Sequence, residues 1–457
     1  MKLQDTTKLY GSKRDSSEQR RAFTSGQVPV AVYGLGKMGL PLAAVYADVS
    51  ENTTGVDIDP DVVEAINDGD CPVGREPGLA DLVSETVDSG ALEATVDSAA
   101  AAAAASVHVV IVPTTLRENN EPDLSMLQAA LEDIASGLES GDLVVVESTV
   151  PPRTSADVVQ PLLAEQSGLD PDEFGVAFCP ERTASGSALQ DITQSYPKVV
   201  GGVDDESTRA AELIYEEITD NDVLPVSDAA TAEAVKVFEG VYRDVNIALA
   251  NELSRFADEM GVDVTEAIDV ANTQPLCDIH LPGPGVGGHC IPYYPYFLID
   301  QFATDTPLLR TAREVNDVMP EFTVGKLVQG LERNGTPIHD ATVAVLGLAY
   351  RPGVAETRKS PAKPIAARLS AYDADVVGVD PVLDDVSDFE LTPVSLSELS
   401  ECDLDAVVIV TPHEEFDDID WSAHDDLVVV DGRDMLEDGA ISHAVYTIGA
   451  GWDVPKP

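Results

Sequence analysis

Basic residues are scarce in this chain. Only 27 Lys+Arg stand against 82 Asp+Glu in 457 residues, a formal charge of −55. An acid excess this large argues against nucleic acid or anionic membrane as the main partner, because both require a basic footprint. Cysteine is also scarce. The five present (71, 179, 277, 290 and 402) are scattered, odd in number and without CxxC spacing, which argues against a disulfide framework and a zinc site. No apolar run approaches the roughly 18 residues of a membrane helix. Residues 1–27 have no apolar signal-peptide core, so they read as a flexible extension of a soluble, cytoplasmic protein. Disorder is disfavoured in turn, since 44% apolar residues spread along the chain can fill real cores. At about 150 residues per domain, the length suggests roughly three structural units. The charge itself reads as a diffuse acidic coat of the halophilic kind, its self-repulsion screened by salt.

Short apolar runs alternate with helical patterns along the chain. Strands are expected at Val28–Tyr33, Thr54–Ile58, Val107–Val112, Leu143–Glu147, Gly175–Phe178 and Val199–Gly201. A second set follows at Thr342–Leu348, Asp375–Asp380 and Asp405–Thr411. Nearly continuous apolar strands separated by helices imply parallel sheets covered on both faces. Between the two sets, Ser227-Asp228 offers an N-cap, and apolar residues then recur at steps of three and four from 235 to 260. That pattern predicts one helix of about 30 residues, long enough to span two domains or form a subunit interface. The expected architecture is α/β: two Rossmann-like, doubly wound parallel-sheet domains, at 28–226 and 326–457, joined by a central helical segment at 227–325.

Four stretches carry chemistry. Gly34-Leu35-Gly36-Lys37-Met38-Gly39 follows a strand and opens a helix, and Asp57 ends the next strand. Such glycines let a pyrophosphate approach the helix N-terminus, and the acid is placed for a ribose hydroxyl, which favours NAD over NADP. After the first strand of the second sheet, Gly347-Leu348-Ala349-Tyr350-Arg351 is not a full fingerprint. Arg351 and Arg358 there form a local basic cluster, open to reading as a phosphate site or a surface loop. Lys236, Gly240, Arg243 and Asn246 stack along one line of the long helix, open to reading as an anion- or substrate-binding line; taken alone they read better as a solvated face. GPGVGGHCIP at 283–292 is the sharpest feature, an irregular loop that delivers Cys290 right after His289. A reactive thiol needs such a polar, partly open setting.

These pieces occur together and in order. GLGKMGLPLA at 34, GVDID at 55, VPTTL at 112, ESTVPP at 147, CPER at 179, KVVGG at 198, EAVKVFEGVYRDVNIALANEL at 233, GPGVGGHCIP at 283, AREVND at 312 and LGLAYRPGVAETRKSPA at 346 span nearly the whole chain. The sequence resembles the nucleotide-sugar 6-dehydrogenases, the UDP-glucose/GDP-mannose dehydrogenase family. Within it, GGHCIP, PER and RDVNIA are similar to the branch acting on UDP-N-acetylmannosamine or UDP-N-acetylglucosamine.

The resemblance implies two successive NAD-dependent oxidations at sugar C6, through a Cys290 thiohemiacetal and then a thioester. It assigns Lys236 to the hydroxyl proton and the oxyanion, and Thr149 and Glu181 to water and acid/base traffic. NAD would meet Gly34, Gly36, Lys37, Met38, Gly39, Asp57, Thr114, Thr149 and Arg358. The UDP-sugar would meet Arg182, Thr183, Lys236, Arg243, Asn246, Gly285, Gly287, Gly288, Tyr350 and Arg351. A homodimer through the long helix is implied as well, and no metal. Three departures stand out: Tyr294 where the family usually has aspartate, Gly240 where it usually has asparagine, and no arginine in 272–289. UDP-glucose 6-dehydrogenase, a hydroxyacid-type dehydrogenase without a cysteine intermediate, and a nucleotide-sugar binding protein with impaired catalysis are the other readings.

Overall fold

The computed structural model describes residues 7–437 and 441–453. By contact density they divide into two compact units. One ends at Phe238 and takes in Tyr296–Gln301; the other runs from Glu239 to Pro295 and resumes at Phe302. Compact units and sequence segments therefore divide differently, since the long helix Ala229–Ser254 contributes its first turns to one unit and the rest to the other.

The main sheet of the first unit has eight strands: β1 Val30–Tyr33, β2 Thr53–Val56, β3 Leu92–Thr95, β4 Val107–Val110, β5 Leu143–Val146, β6 Gly175–Phe178, β7 Lys198–Gly202 and β8 Val223–Pro225. Their order is β8-β7-β6-β5-β4-β1-β2-β3. Pairing is parallel except between β6 and β7, where Phe178 faces Gly201 in an antiparallel register. Alternate residues of β1 serve opposite faces: Val30 and Val32 enter one core, Ala31 and Tyr33 the other. With helices on both faces, each position buries an apolar side chain, which is why the strand reads as an unbroken apolar run. The order reverses between β1 and β4, so their carboxyl ends frame a crevice of the kind that takes nucleotides.

The second unit repeats the plan with β9 Thr342–Leu346, β10 Asp375–Val379, β11 Thr392–Pro393, β12 Ala406–Ile409, β13 Val428–Asp431, β14 Ala444–Thr447 and β15 Gly451–Asp453. The order is β11-β10-β9-β12-β13-β14-β15, with only the β14–β15 pair antiparallel. Val343 and Val345 point into one core and Ala344 and Leu346 into the other. The switch falls between β9 and β12.

Part of the expected flexible extension is instead packed; residues 1–6 lie outside the described residues. Ser16–Phe23 is a helix whose Asp15 cap accepts from Glu18 N. Leu9 and Phe23 are fully buried in the first unit's core, and Arg209 Nη2 donates to Leu9 O at 2.8 Å. Burying such side chains is worth about 2 kcal/mol each, enough to hold a polar segment that shows no periodicity of its own. The seven alanines at 99–105 fall almost wholly in the helix Ser98–Ala104, capped by Asp97. Among the described residues no helix is long and apolar enough to cross a membrane.

Candidate active site

In the first unit, the residues singled out from the sequence gather at the carboxyl ends of the strands. Gly34 leaves β1 at φ +98°, a conformation other residues rarely adopt, and a Cβ there would lie 2.6 Å from Ile111 O. A Cβ on Gly39 would lie 1.9 Å from Gly34 O, so this glycine lets the helix Gly39–Ser50 close against the turn. Gly36 is different: a Cβ there meets nothing within 4 Å, leaving exposed backbone in open space. Asp57, just past β2, accepts from Leu35 N at 2.7 Å and Asp59 N at 3.0 Å. Lys37 is exposed, and Met38 Sδ lies 2.9 Å from the Thr183 hydroxyl oxygen. A tight glycine turn, bare backbone at Gly36 and a carboxylate at the neighbouring strand end suit a dinucleotide.

Thr114 follows β4 and Thr149 follows β5, joined by Thr114 Oγ1 donating to Thr149 O at 2.6 Å. Past β6, Glu181 takes both the amide and the hydroxyl of Thr183 on Oε1, while its Oε2 lies 3.8 Å from Lys236 Nζ. Lys236 is 6% exposed, which corrects the solvated-face reading at that position. Arg182 turns to Pro197 O at 2.8 Å and to the Tyr196 ring.

Two buried carboxylates beneath this half-site were not singled out from the sequence. Glu233, one turn before Lys236, accepts from Arg153 N at 2.5 Å and Ser155 N at 2.7 Å. It thereby ties the turn after Thr149, with Arg153 in the left-handed region at φ +82°, to the start of the long helix. Burial pushes its carboxyl up to about 7 against the pull of those donors. Glu147 ends β5 and accepts the Tyr215 hydroxyl at 2.6 Å. Burial lifts it to about 7 as well, despite Lys198 and Tyr215. Cys179 nearby is fully buried, its thiol held well up by burial and by Glu147. Both acids stand inside quoted motifs, but no spacing rule reports the depth of a carboxylate.

In the second unit, the Cys290 loop packs on the β9 loop. Cβ atoms on Gly287 and Gly288 would fall 2.8 and 2.9 Å from the Tyr350 side chain, and one on Gly285 would fall 3.0 Å from Pro361. Gly288 N donates to Arg358 O at 2.9 Å. Cys290 is exposed and starts the short helix Cys290–Tyr293. The Tyr350 phenol is pushed up by burial, with Glu356 and Cys290 adding to the rise and Arg351 and Arg358 opposing it. Arg358 itself lies in this unit, its Nε 3.4 Å from Glu356.

Arg433, past β13, went unnoticed in the sequence. Its guanidinium donates to Val410 O and Gly285 O, and a Cβ on Gly283 would lie 2.5 Å from Nη1. Burial lowers it to about 10, against the pull of Asp431. Asp380, the counterpart of Asp57, is committed to Leu348 N, Ala349 N and Val382 N, with His413 3.3 Å away. Like Asp57, this carboxylate ties the loop after the first strand of its sheet to the end of the neighbouring strand.

On the long helix, Arg243 is exposed. Asn246 is engaged by the segment after it, donating to Asp278 O at 2.5 Å and accepting from His280 N at 2.8 Å. Gly240 and Tyr294, two of the departures from the family pattern, prove to be in contact with each other.

Models of the UDP-glucose/GDP-mannose dehydrogenase family match in three parts: the NAD binding domain at 28–219, the central domain at 230–318 and the UDP binding domain at 344–438. A UDP-N-acetyl-D-mannosamine dehydrogenase of Pyrococcus horikoshii is 36% identical over 92% of this chain and 99% of its own. An NDP-N-acetyl-D-galactosaminuronic acid dehydrogenase of Ralstonia nicotianae is 37% identical over 89% of this chain and 96% of its own. Among solved structures, the P. horikoshii UDP-D-ManNAc dehydrogenase superposes with a TM-score of 0.87 at 35% identity, covering 93% of this chain and all of that one. A UDP-glucose dehydrogenase of Pyrobaculum islandicum gives 0.82 at 28% identity, over 93% and 98% of the two chains. The chain belongs to the UDP-glucose/GDP-mannose dehydrogenase family and is an NAD-dependent nucleotide-sugar dehydrogenase.

Proposed function

We propose that the substrate is a UDP-N-acetylhexosamine, UDP-N-acetylmannosamine foremost, and that its C6 hydroxyl is oxidised to the carboxylate. The observation carrying this is the near full-length similarity, at 34–37% identity, to several UDP-N-acetyl-D-mannosamine dehydrogenases. Gly34, Gly36, Lys37, Met38, Gly39 and Asp57, with Thr114, Thr149 and Arg358, would hold NAD, which would supply the hydride acceptor for both oxidations. Ile58, 97% exposed beside Asp57, offers an apolar surface to a flat base.

Lys236 receives the hydroxyl proton or holds the resulting oxyanion, its charge balanced by Glu181. The aldehyde so formed has no second hydride to give until a nucleophile adds. The Cys290 thiolate adds to C6 to make a thiohemiacetal, whose oxidation leaves a thioester. Water then replaces sulfur at C6, giving the carboxylate and returning the thiol, with Thr149 and Glu181 steering that water. Arg182, Thr183, Arg243, Asn246, Tyr350 and Arg351 bind the UDP-sugar, with the glycines 285, 287 and 288 allowing close approach. Use of NAD as acceptor fits a cytoplasmic enzyme. Phe238, Tyr242 and Leu249 recur on one stripe of the long helix at 58%, 50% and 48% exposure, which supports a homodimer formed through it.

The test is to incubate a panel of UDP- and GDP-sugars with NAD at high salt, reading absorbance and product mass. Two NADH per UDP-N-acetylhexosamine are expected, and Cys290→Ser should stall after at most one. Full turnover by that variant favours a hydroxyacid-type mechanism. One NADH in the parent, or preference for UDP-glucose, also defeats the proposal, and binding without NADH points to an impaired enzyme.

A further inference from the structure

Gly240 lies in the middle of the 26-residue helix Ala229–Ser254, where glycine weakens a helix relative to alanine. Its justification is steric. A Cβ at 240 would lie 2.1 Å from Tyr294 Cδ2, 2.9 Å from Cγ and 3.0 Å from Cβ, so the tyrosine ring rests on bare helix backbone. Tyr294 is 2% exposed. A rigid ring enclosed to that extent cannot yield by bending, as the end of a lysine would. Tyr294 N in turn donates to Cys290 O, closing the single helical turn that carries the exposed thiol. Any displacement of the ring therefore reaches Cys290 through one hydrogen bond and four residues.

We propose that Tyr294 is a positioning residue for Cys290, its ring and the missing side chain at Gly240 forming a size-matched contact that sets where the cysteine turn lies on the long helix. Neither residue touches the reacting atoms. The inference rests on Cys290 being the nucleophile, but the contact can be tested without that assumption. It also explains why two departures from the family pattern coexist in one chain: a side chain at 240 and a tyrosine at 294 exclude each other. The pair thus behaves as one substitution.

A double-mutant cycle of Gly240→Ala and Tyr294→Ala in the full-length protein decides the matter, reading kcat, KM for NAD, and the pH profile of Cys290 alkylation by iodoacetamide through peptide mass. In the parent background, Gly240→Ala should lower kcat by about 100-fold, as a displacement near 1 Å does, with KM for NAD unchanged and the Cys290 alkylation profile shifted. In the Tyr294→Ala background the same substitution should change kcat by less than about twofold, because no ring remains to be struck. Gly325→Ala, a mid-helix glycine with nothing within 4 Å of its Cβ, is the control and should leave kcat unchanged. Equal effects of Gly240→Ala in both backgrounds, or a parental alkylation profile, would overturn the proposal. Should Gly240→Ala fail to fold, Tyr294→Ala alone decides: a parental Cys290 profile refutes the contact and a shifted one supports it. Non-additive alkylation supports the contact whatever Cys290→Ser does to turnover, so the positioning claim and the chemistry can fail separately.

Discussion

At Glu147 a carboxyl group lies 1% exposed at the end of a central strand, with Tyr215 bonded to one oxygen. Burial raises it to about 7, so between about pH 4.5 and 7 the folded protein keeps a proton that the unfolded chain has released. Its contribution to stability is fully present below that window and is lost as pH rises through it, by about 3 kcal/mol for a shift of this size. Glu147→Gln removes the titration and keeps an acceptor for Tyr215. Its melting temperature relative to the parent should therefore climb by several degrees between pH 5 and pH 8. A gap that stays constant with pH would show that Glu147 does not titrate in this range. Glu147 and Glu233 both escaped attention in the sequence because depth, not spacing, makes them unusual.

The turn after β1 shows how one motif mixes two kinds of glycine. Gly39 is there for the helix, since a methyl group would strike Gly34 O. Gly39→Ala should cost about 1–3 kcal/mol of stability, seen as a lower melting temperature even without ligand. Gly36 faces open space, so Gly36→Ala should fold with the parental melting temperature while weakening NAD binding by about tenfold or more, read by fluorescence titration. Equal melting losses for the two variants would mean that this division is wrong. The turn, its strand and its helix were legible from local pattern alone. The edge strands β3, β8 and β11 and the closing strands β13 to β15 were not, because short strands take their identity from the neighbour they pair with.

Over the whole molecule, a charge of −55 must be carried by the folded chain. Screening shortens from about 10 Å at 0.1 M salt to about 3 Å at 1 M, so the melting temperature should rise steadily with NaCl over that range. A flat response would argue against net repulsion as the governing term. The proposed homodimer through the long helix carries a separate expectation: Leu249→Asp should lower the mass seen by sedimentation to that of one chain, whereas an unchanged mass would count against that interface. The sequence by itself determined the α/β plan, the glycine turn with Asp57, the long helix and the family, because each is written in local periodicity and ordered motifs. Only the tertiary structure decided that Lys236 is buried against Glu181, that Asp380 is spent on its own loop, that residues 7–27 pack instead of trailing, and that Gly240 answers Tyr294. Burial and steric fit between distant segments arise only when the chain closes on itself, and no window of neighbouring residues contains them.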